Sequence, residues 1–258
     1  MLSKFKAAKA LEIKTLQHLA QTGKMPLPHQ GRRLSFTGSL KAEAGPAIIA
    51  EYKRTSPSQG HINLAASPRE TALAYAINGA RAISVLTEKR YFKGNIKYLE
   101  QMAGAGLPLL RKDFIFHPLQ MAHSAATPAA AVLLIVRMLE DGLYHNLLAL
   151  AAQYGLQAVS EVFDKHDLKR AQASGAGIIQ VNNRDLDTLR VDEAVSLNLI
   201  THKKDNEFWI TASGIATRGQ LLRLLDAGFD AALIGSSLME NQNPGAFLGA
   251  LLAGESHA

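Results

Sequence analysis

Four short apolar runs in this sequence break off into charged or amide side chains: Ala50-Glu51-Tyr52-Lys53, Leu110-Arg111-Lys112-Asp113, Ser160-Glu161 and Asn182-Asn183-Arg184-Asp185. An ammonium such as Lys112 is protonated near neutrality and can act as an acid, and a carboxylate such as Glu161 can act as a base. Glu51 and Lys53 stand two residues apart, so on a strand they share a face and can pair. One lysine at a strand end reads as a stem reaching for solvent. Several such ends on one mouth read differently, because gathered charges are unfavourable unless they pair or meet a ligand. A second set is built from small residues. Ala212-Ser213-Gly214-Ile215 and Gly235-Ser236-Ser237 leave backbone N–H groups open to an anion, and Ser56 can add a hydroxyl. The two sets together predict acid–base chemistry on a small phosphorylated molecule.

Other chemistries lack their residues. There is no cysteine, which removes disulfides, thiolate metal sites and cysteine nucleophiles. The nine histidines are scattered without metal-ligand spacing, and no Gly-x-Ser-x-Gly elbow occurs. Neither a metal nor a cofactor is expected.

The elements that must position these groups recur along the chain. Eight short apolar runs start at Ala47, Ala82, Pro108, Ala131, Gln157, Ile178, Phe208 and Ala231. They end at Glu51, Leu86, Leu110, Val136, Val162, Val181, Thr211 and Ile234. Most are apolar throughout, as parallel strands buried on both faces are. Helical patterns lie between them, over Pro68–Asn78, Leu143–Tyr154, Asp164–Ser174 and Thr217–Ala227. Gly79, Gly175 and Gly228 each follow a helix and precede a strand, the place of a left-handed closing residue. Eight such units predict an α/β fold, a closed (βα)8 TIM barrel over residues 47–258, with the active site at the C-terminal ends of the strands. An N-terminal helical extension over residues 1–46 precedes it. There Leu2, Phe5, Leu16 and Leu19, with Leu11 and Ile13 between, predict an amphipathic helix that docks on another element and ends near Gly23.

Composition narrows the partners. With 47% apolar and 19% charged residues, the 258-residue chain is expected to be an ordinary globular protein. All of the +6 net charge sits in residues 1–46, which carry eight Lys and Arg against Glu12 and Glu43. That leader reads as a solvated helical face, so no nucleic acid is expected. No apolar run is long enough for a membrane span or a signal peptide. A cytoplasmic protein is expected, a monomer or weak homo-oligomer.

At these residues the sequence resembles the indole-3-glycerol phosphate synthase family, over nearly the whole chain. The resemblance is carried by Ile49-Ala50-Glu51-Tyr52-Lys53-Arg54-Thr55-Ser56-Pro57-Ser58 and by Leu110-Arg111-Lys112-Asp113-Phe114-Ile115. Ser84-Val85-Leu86-Thr87-Glu88, Tyr91-Phe92-Lys93-Gly94, Asn182-Asn183-Arg184-Asp185-Leu186 and Gly235-Ser236-Ser237-Leu238-Met239 extend it. It implies closure of 1-(2-carboxyphenylamino)-1-deoxyribulose 5-phosphate to indole-3-glycerol phosphate with loss of CO2 and water, a lyase step of tryptophan biosynthesis. It also implies roles: Lys112 the general acid, Lys53 the group that helps expel the hydroxyl, Glu161 the base, and Glu51 and Asn182 positioning groups. Arg184, Leu186, Phe92 and Phe114 would face the substrate, and Ser56, Ser213, Gly214, Gly235 and Ser236 would hold the phosphate. One departure stands out. The family pattern Ser-Glu-Ser-Gly is Thr211-Ala212-Ser213-Gly214 here. A carboxylate missing at Ala212 is expected to lower the pKa of a nearby lysine or leave it more mobile. Two alternatives stay open on that account: a divergent relative acting on another aminated sugar phosphate, or a barrel that binds a phosphorylated ligand without turning it over.

Overall fold

Eight parallel strands close into a barrel: β1 (Ile48–Tyr52), β2 (Ala82–Leu86), β3 (Leu109–Lys112), β4 (Ala131–Ile135), β5 (Gln157–Val162), β6 (Ile178–Asn182), β7 (Phe208–Ala212) and β8 (Ala231–Ile234). Each strand pairs with its neighbour in sequence, and β8 returns to β1 through Ile48↔Ala232 and Ala50↔Ile234. The computed structural model describes residues 2–41, 45–57 and 60–253. Ser58 and the side chain of Leu2 lie outside what is described. Among the described residues no helix is long and apolar enough to cross a membrane.

The strands are buried on both faces because helices surround them. α3 (Pro68–Ile77), α4 (Lys97–Met102), α5 (Pro118–Ala125), α6 (Asp141–Gln153), α7 (Lys165–Ala173), α8 (Ala194–Leu199) and α9 (Arg218–Asp226) follow β1 to β7 in turn, and α10 (Ser236–Met239) and α11 (Pro244–Ala253) follow β8. Local chemistry starts several of them. Ser67, Asp164 and Thr217 accept backbone N–H groups at the N-termini of α3, α7 and α9, and Thr217 completes a capping box with Gln220. The three closing glycines are left-handed, at φ 90°, 79° and 115°.

Four strands run beyond the ends their apolar residues predict. Tyr52, Lys112, Asn182 and Ala212 all belong to the ladder. The paired backbone therefore extends to, or lies next to, the residues that carry charge, which fixes where those side chains point.

The leader is held at both ends of the barrel. α1 (Leu2–Gln21) packs along α5 and buries Phe5, Lys9 and Leu16. Two expectations fail here. Leu11 is 76% exposed, because two residues from Lys9 is roughly 200° around a helix. Lys9 leaves the solvated face: it pairs with Glu12 and, at 2.8 Å, with Asp113 just after β3. At the other end of the barrel α2 (Phe36–Lys41) lies against strand starts and buries Phe36 and Leu40. Gln157, the first residue of β5, accepts the Phe36 and Thr37 N–H groups at 2.6 and 3.2 Å. Between the two helices, Arg33 donates to the carbonyls of Ala125, Thr127 and Ala129.

Candidate active site

Strand alternation decides which charged side chains reach the mouth. Glu51 points inward while its neighbour Tyr52 faces out, donating its hydroxyl to the Ala66 carbonyl at 2.7 Å. Lys112 points inward and Arg111 outward, where Arg111 donates to Ser124 Oγ at 2.8 Å and pairs with Asp113 at 3.0 Å. The charged runs at the strand ends thus divide between site and scaffold. Asp113 touches the edge of the cavity, but its carboxylate is occupied by Lys9, Arg111 and the Thr87 hydroxyl. Asn183 accepts the Ser196 N–H and donates to the Ser213 carbonyl, which shapes the loop after β7. Asp185 closes a turn at Thr188.

The inward groups form a row of alternating charge. Glu51 Oε1 lies 3.1 Å from Lys53 Nζ and Oε2 lies 3.3 Å from Lys112 Nζ. Lys112 Nζ is in turn 3.8 Å from Glu161 Oε2 on β5. Burial pushes the Glu51 carboxyl up, but Lys112 and Lys53 outweigh it and hold it down at about 2. Burial favours the neutral form of Lys112, yet Glu51 and Glu161 prevail and raise its pKa above the ordinary lysine value. At Glu161 burial prevails instead. Its carboxyl is raised despite Lys112 and hydrogen bonds from the Asn182 and Gln180 amides, with Glu51 adding repulsion.

With Ala212 in place, two carboxylates still face Lys112. Its pKa is raised above the ordinary lysine value because Glu51 and Glu161 outweigh burial. Lys53 also has two polar partners, Glu51 and the Ser236 hydroxyl, which accepts from Nζ at 3.0 Å.

A cavity of about 310 Å3 opens over this row, and every expected site residue lines it. Phe92, Phe114 and Leu186 give it apolar wall, with the two rings 6.2 Å apart. Arg184 is anchored from two sides, its backbone N–H on Asn182 Oδ1 at 3.0 Å and its guanidinium on the Leu189 carbonyl at 2.9 Å. Ser56, Ser213, Gly214, Gly235 and Ser236 lie along the cavity with Lys53. Glycine is required at two of these. A Cβ at Gly235 would lie 2.4 Å from Glu51 Oε1. Gly214 has φ +83°, and a Cβ there would lie 2.4 Å from Val191 Cγ1.

Sequence reasoning missed two contributors. Phe5 of the leader lines the cavity and stacks on Phe114, with centroids 4.1 Å apart and planes 13° apart. Its place on the apolar face of α1 was the available signal, but nothing in the spacing named Phe114 as its seat. Glu88 accepts the backbone N–H groups of Arg90, Tyr91 and Phe92 at 2.7, 2.7 and 3.1 Å, and so builds the loop that carries Phe92.

Comparison with known proteins shows what the chain is similar to. A family model described as indole-3-glycerol phosphate synthase matches residues 2–251. An Aquifex aeolicus protein of that description is 45% identical over 203 residues, covering 78% of this chain and 79% of its own. One from Desulfosudis oleivorans is 42% identical over 214 residues, 83% of this chain and 81% of its own. Among solved structures, a 3-hexulose-6-phosphate synthase superposes with a TM-score of 0.61 at 15% identity, over 81% of this chain and 100% of that one. At that identity the likeness is one of fold alone.

Proposed function

The chain belongs to the indole-3-glycerol phosphate synthase family, and from that premise we propose how its cavity closes 1-(2-carboxyphenylamino)-1-deoxyribulose 5-phosphate to indole-3-glycerol phosphate. The ring carbon that bears the carboxylate attacks the sugar ketone. Lys112 gives its proton to the ketone oxygen as that bond forms. CO2 then leaves, its bonding pair returns to the ring, and aromaticity is restored. In the second half the new hydroxyl departs as water with a proton from Lys53, and Glu161 takes the proton from the carbon next to nitrogen. Atoms balance as one CO2 and one water lost.

The observation that carries this reading is the row Lys53–Glu51–Lys112–Glu161, with separations of 3.1, 3.3 and 3.8 Å. Glu51 pairs with both lysines and helps raise the pKa of Lys112, and burial brings Glu161 closer to the pKa a base needs near neutrality. Asn182 orients Glu161. Arg184, Phe92, Phe114 and Leu186 receive the anthranilate half. Ser56, Ser213, Gly214, Gly235 and Ser236 take the phosphate, where small residues leave backbone N–H groups open and the Lys53 ammonium stands on Ser236. In this reading residues 1–46 are an extension and residues 47–258 the catalytic barrel. The protein is cytoplasmic and works as a monomer or weak homo-oligomer, apart from membranes and nucleic acid and without metal or cofactor.

The test is a fluorescence assay of product formation on the wild type, Lys112→Ala and Ala212→Glu. We expect turnover in the wild type, a loss of roughly 10²- to 10⁴-fold in Lys112→Ala, and no gain in Ala212→Glu. A silent wild type beside an active Ala212→Glu would sink the reading and favour a barrel that has lost this reaction.

A further inference from the structure

Two amides from one strand hold Glu161. Gln180 and Asn182 are two residues apart on β6, so both side chains face the barrel interior, next to β5. Asn182 is locked. Its Oδ1 accepts the Arg184 backbone N–H at 3.0 Å, which turns its NH2 toward Glu161. Gln180 is fully buried, and it lies beneath the cavity, outside its lining. Its Nε2 donates to Glu161 Oε2 at 2.5 Å, while its Oε1 has no hydrogen-bond partner among the described residues.

A buried amide oxygen left unpaired destabilises a folded chain, and an apolar side chain of the same length would avoid that loss. Among the described residues, the only hydrogen bond this side-chain amide makes is with Glu161. An amide also carries a donor at one end and an acceptor at the other, so a half-turn about its last bond exchanges them. Asn182, fixed by Arg184, can only donate. We infer that Gln180 is a positioning residue for the reaction, aiming the Glu161 carboxyl into the cavity and holding it in both its ionised and its protonated form. This rests on the reading of Glu161 as the base.

The charged groups facing Glu161 are Lys112 from β3 and Glu51 from β1. Without the Gln180 donor the carboxylate keeps Lys112 and Asn182 alone, which favours its protonated form. Gln180→Met preserves length and removes the donor. It is expected to fold, to leave KM within about twofold and to lower kcat about tenfold or more. The acid limb of its kcat/KM profile should move up by roughly half a pH unit or more. Gln180→Glu keeps the shape and donates only while protonated, so its rate relative to wild type should fall as pH rises across that limb. An unmoved limb in Gln180→Met overturns the inference. If Gln180→Met does not fold, the Gln180→Glu profile decides alone, and one parallel to wild type overturns it. Glu161→Gln separates the two readings. If it stays active, the base assignment falls. If it is silent while the Gln180 variants match wild type, only Gln180 loses its role.

Discussion

Glu51→Gln removes one charge and keeps the shape of the side chain, which makes it a direct test of the charge row. The carboxyl is held at about 2 in the folded chain against an ordinary 4.5. That gap corresponds to about 3 kcal/mol of stability. The sign follows from the depressed pKa. The stabilisation is fully present above about pH 4.5 and is lost as pH falls through 2, since the unfolded chain binds the proton first. At pH 3 less than half of it remains. Urea unfolding of wild type and variant, followed through the buried and solitary Trp209, measures the difference at both pH values. We expect about 3 kcal/mol at pH 7 and less than half of that at pH 3. A difference below about 1 kcal/mol at pH 7, or one that is the same at pH 3, would refute the claim that the two lysines outweigh burial at Glu51.

Phe5→Ala takes away the ring stacked on Phe114. It should cost about 3–5 kcal/mol in urea unfolding and raise KM, since the same ring lines the cavity. Gly235→Ala places a methyl 2.4 Å from Glu51 Oε1. Turnover should fall about tenfold or more with an unchanged far-ultraviolet dichroism spectrum. Asp113→Asn strips the buried counter-charge from Lys9 and Arg111, a loss of about 3–5 kcal/mol. Hydrogen exchange in α1 should accelerate more than exchange in the barrel strands. In the wild type the Asp113 carboxyl sits at about 2 against an ordinary 3.8, with Lys9 and Arg111 outweighing burial. Its stabilisation is therefore lost as pH falls from about 3.8 through 2, and α1 exchange should rise in that window.

The barrel was legible because each unit announces itself locally. A short run such as Ala131–Ile135 has nothing polar to show water, and a glycine such as Gly175 can close a helix where other residues are strained. The cavity residues were legible because side chains at the ends of parallel strands converge whatever the loops do. What stayed hidden depended on pairings between distant parts of the chain. Lys9 reads as one more solvated lysine until Asp113 is seen opposite it, more than a hundred residues away. Arg111 and Lys112 are adjacent and both cationic, yet the pleat sends one to α5 and the other to the cavity. The charges that surround Lys112 stayed hidden for the same reason. The compensation lies in where Glu51 and Glu161 stand relative to Lys112, and no local pattern around Ala212 carries that distance.

The leader's grip has a consequence for how the chain is made. Arg33 reaches carbonyls 92 to 96 residues further on, and Gln157 receives α2 from 121 residues away. At a synthesis rate of about 5–20 residues per second, the leader leaves the ribosome roughly 6–24 s before its seat exists. Until Phe114 is made Phe5 has no ring to stack on, and until Gln157 is made the helix that carries Phe36 lacks its acceptor. A chain released before Gln157 cannot seat α2, and one released before Phe114 cannot seat α1 either. Unfinished barrels thus carry an uncovered apolar segment at their oldest end, and the finished one hides it at the mouth and the floor alike.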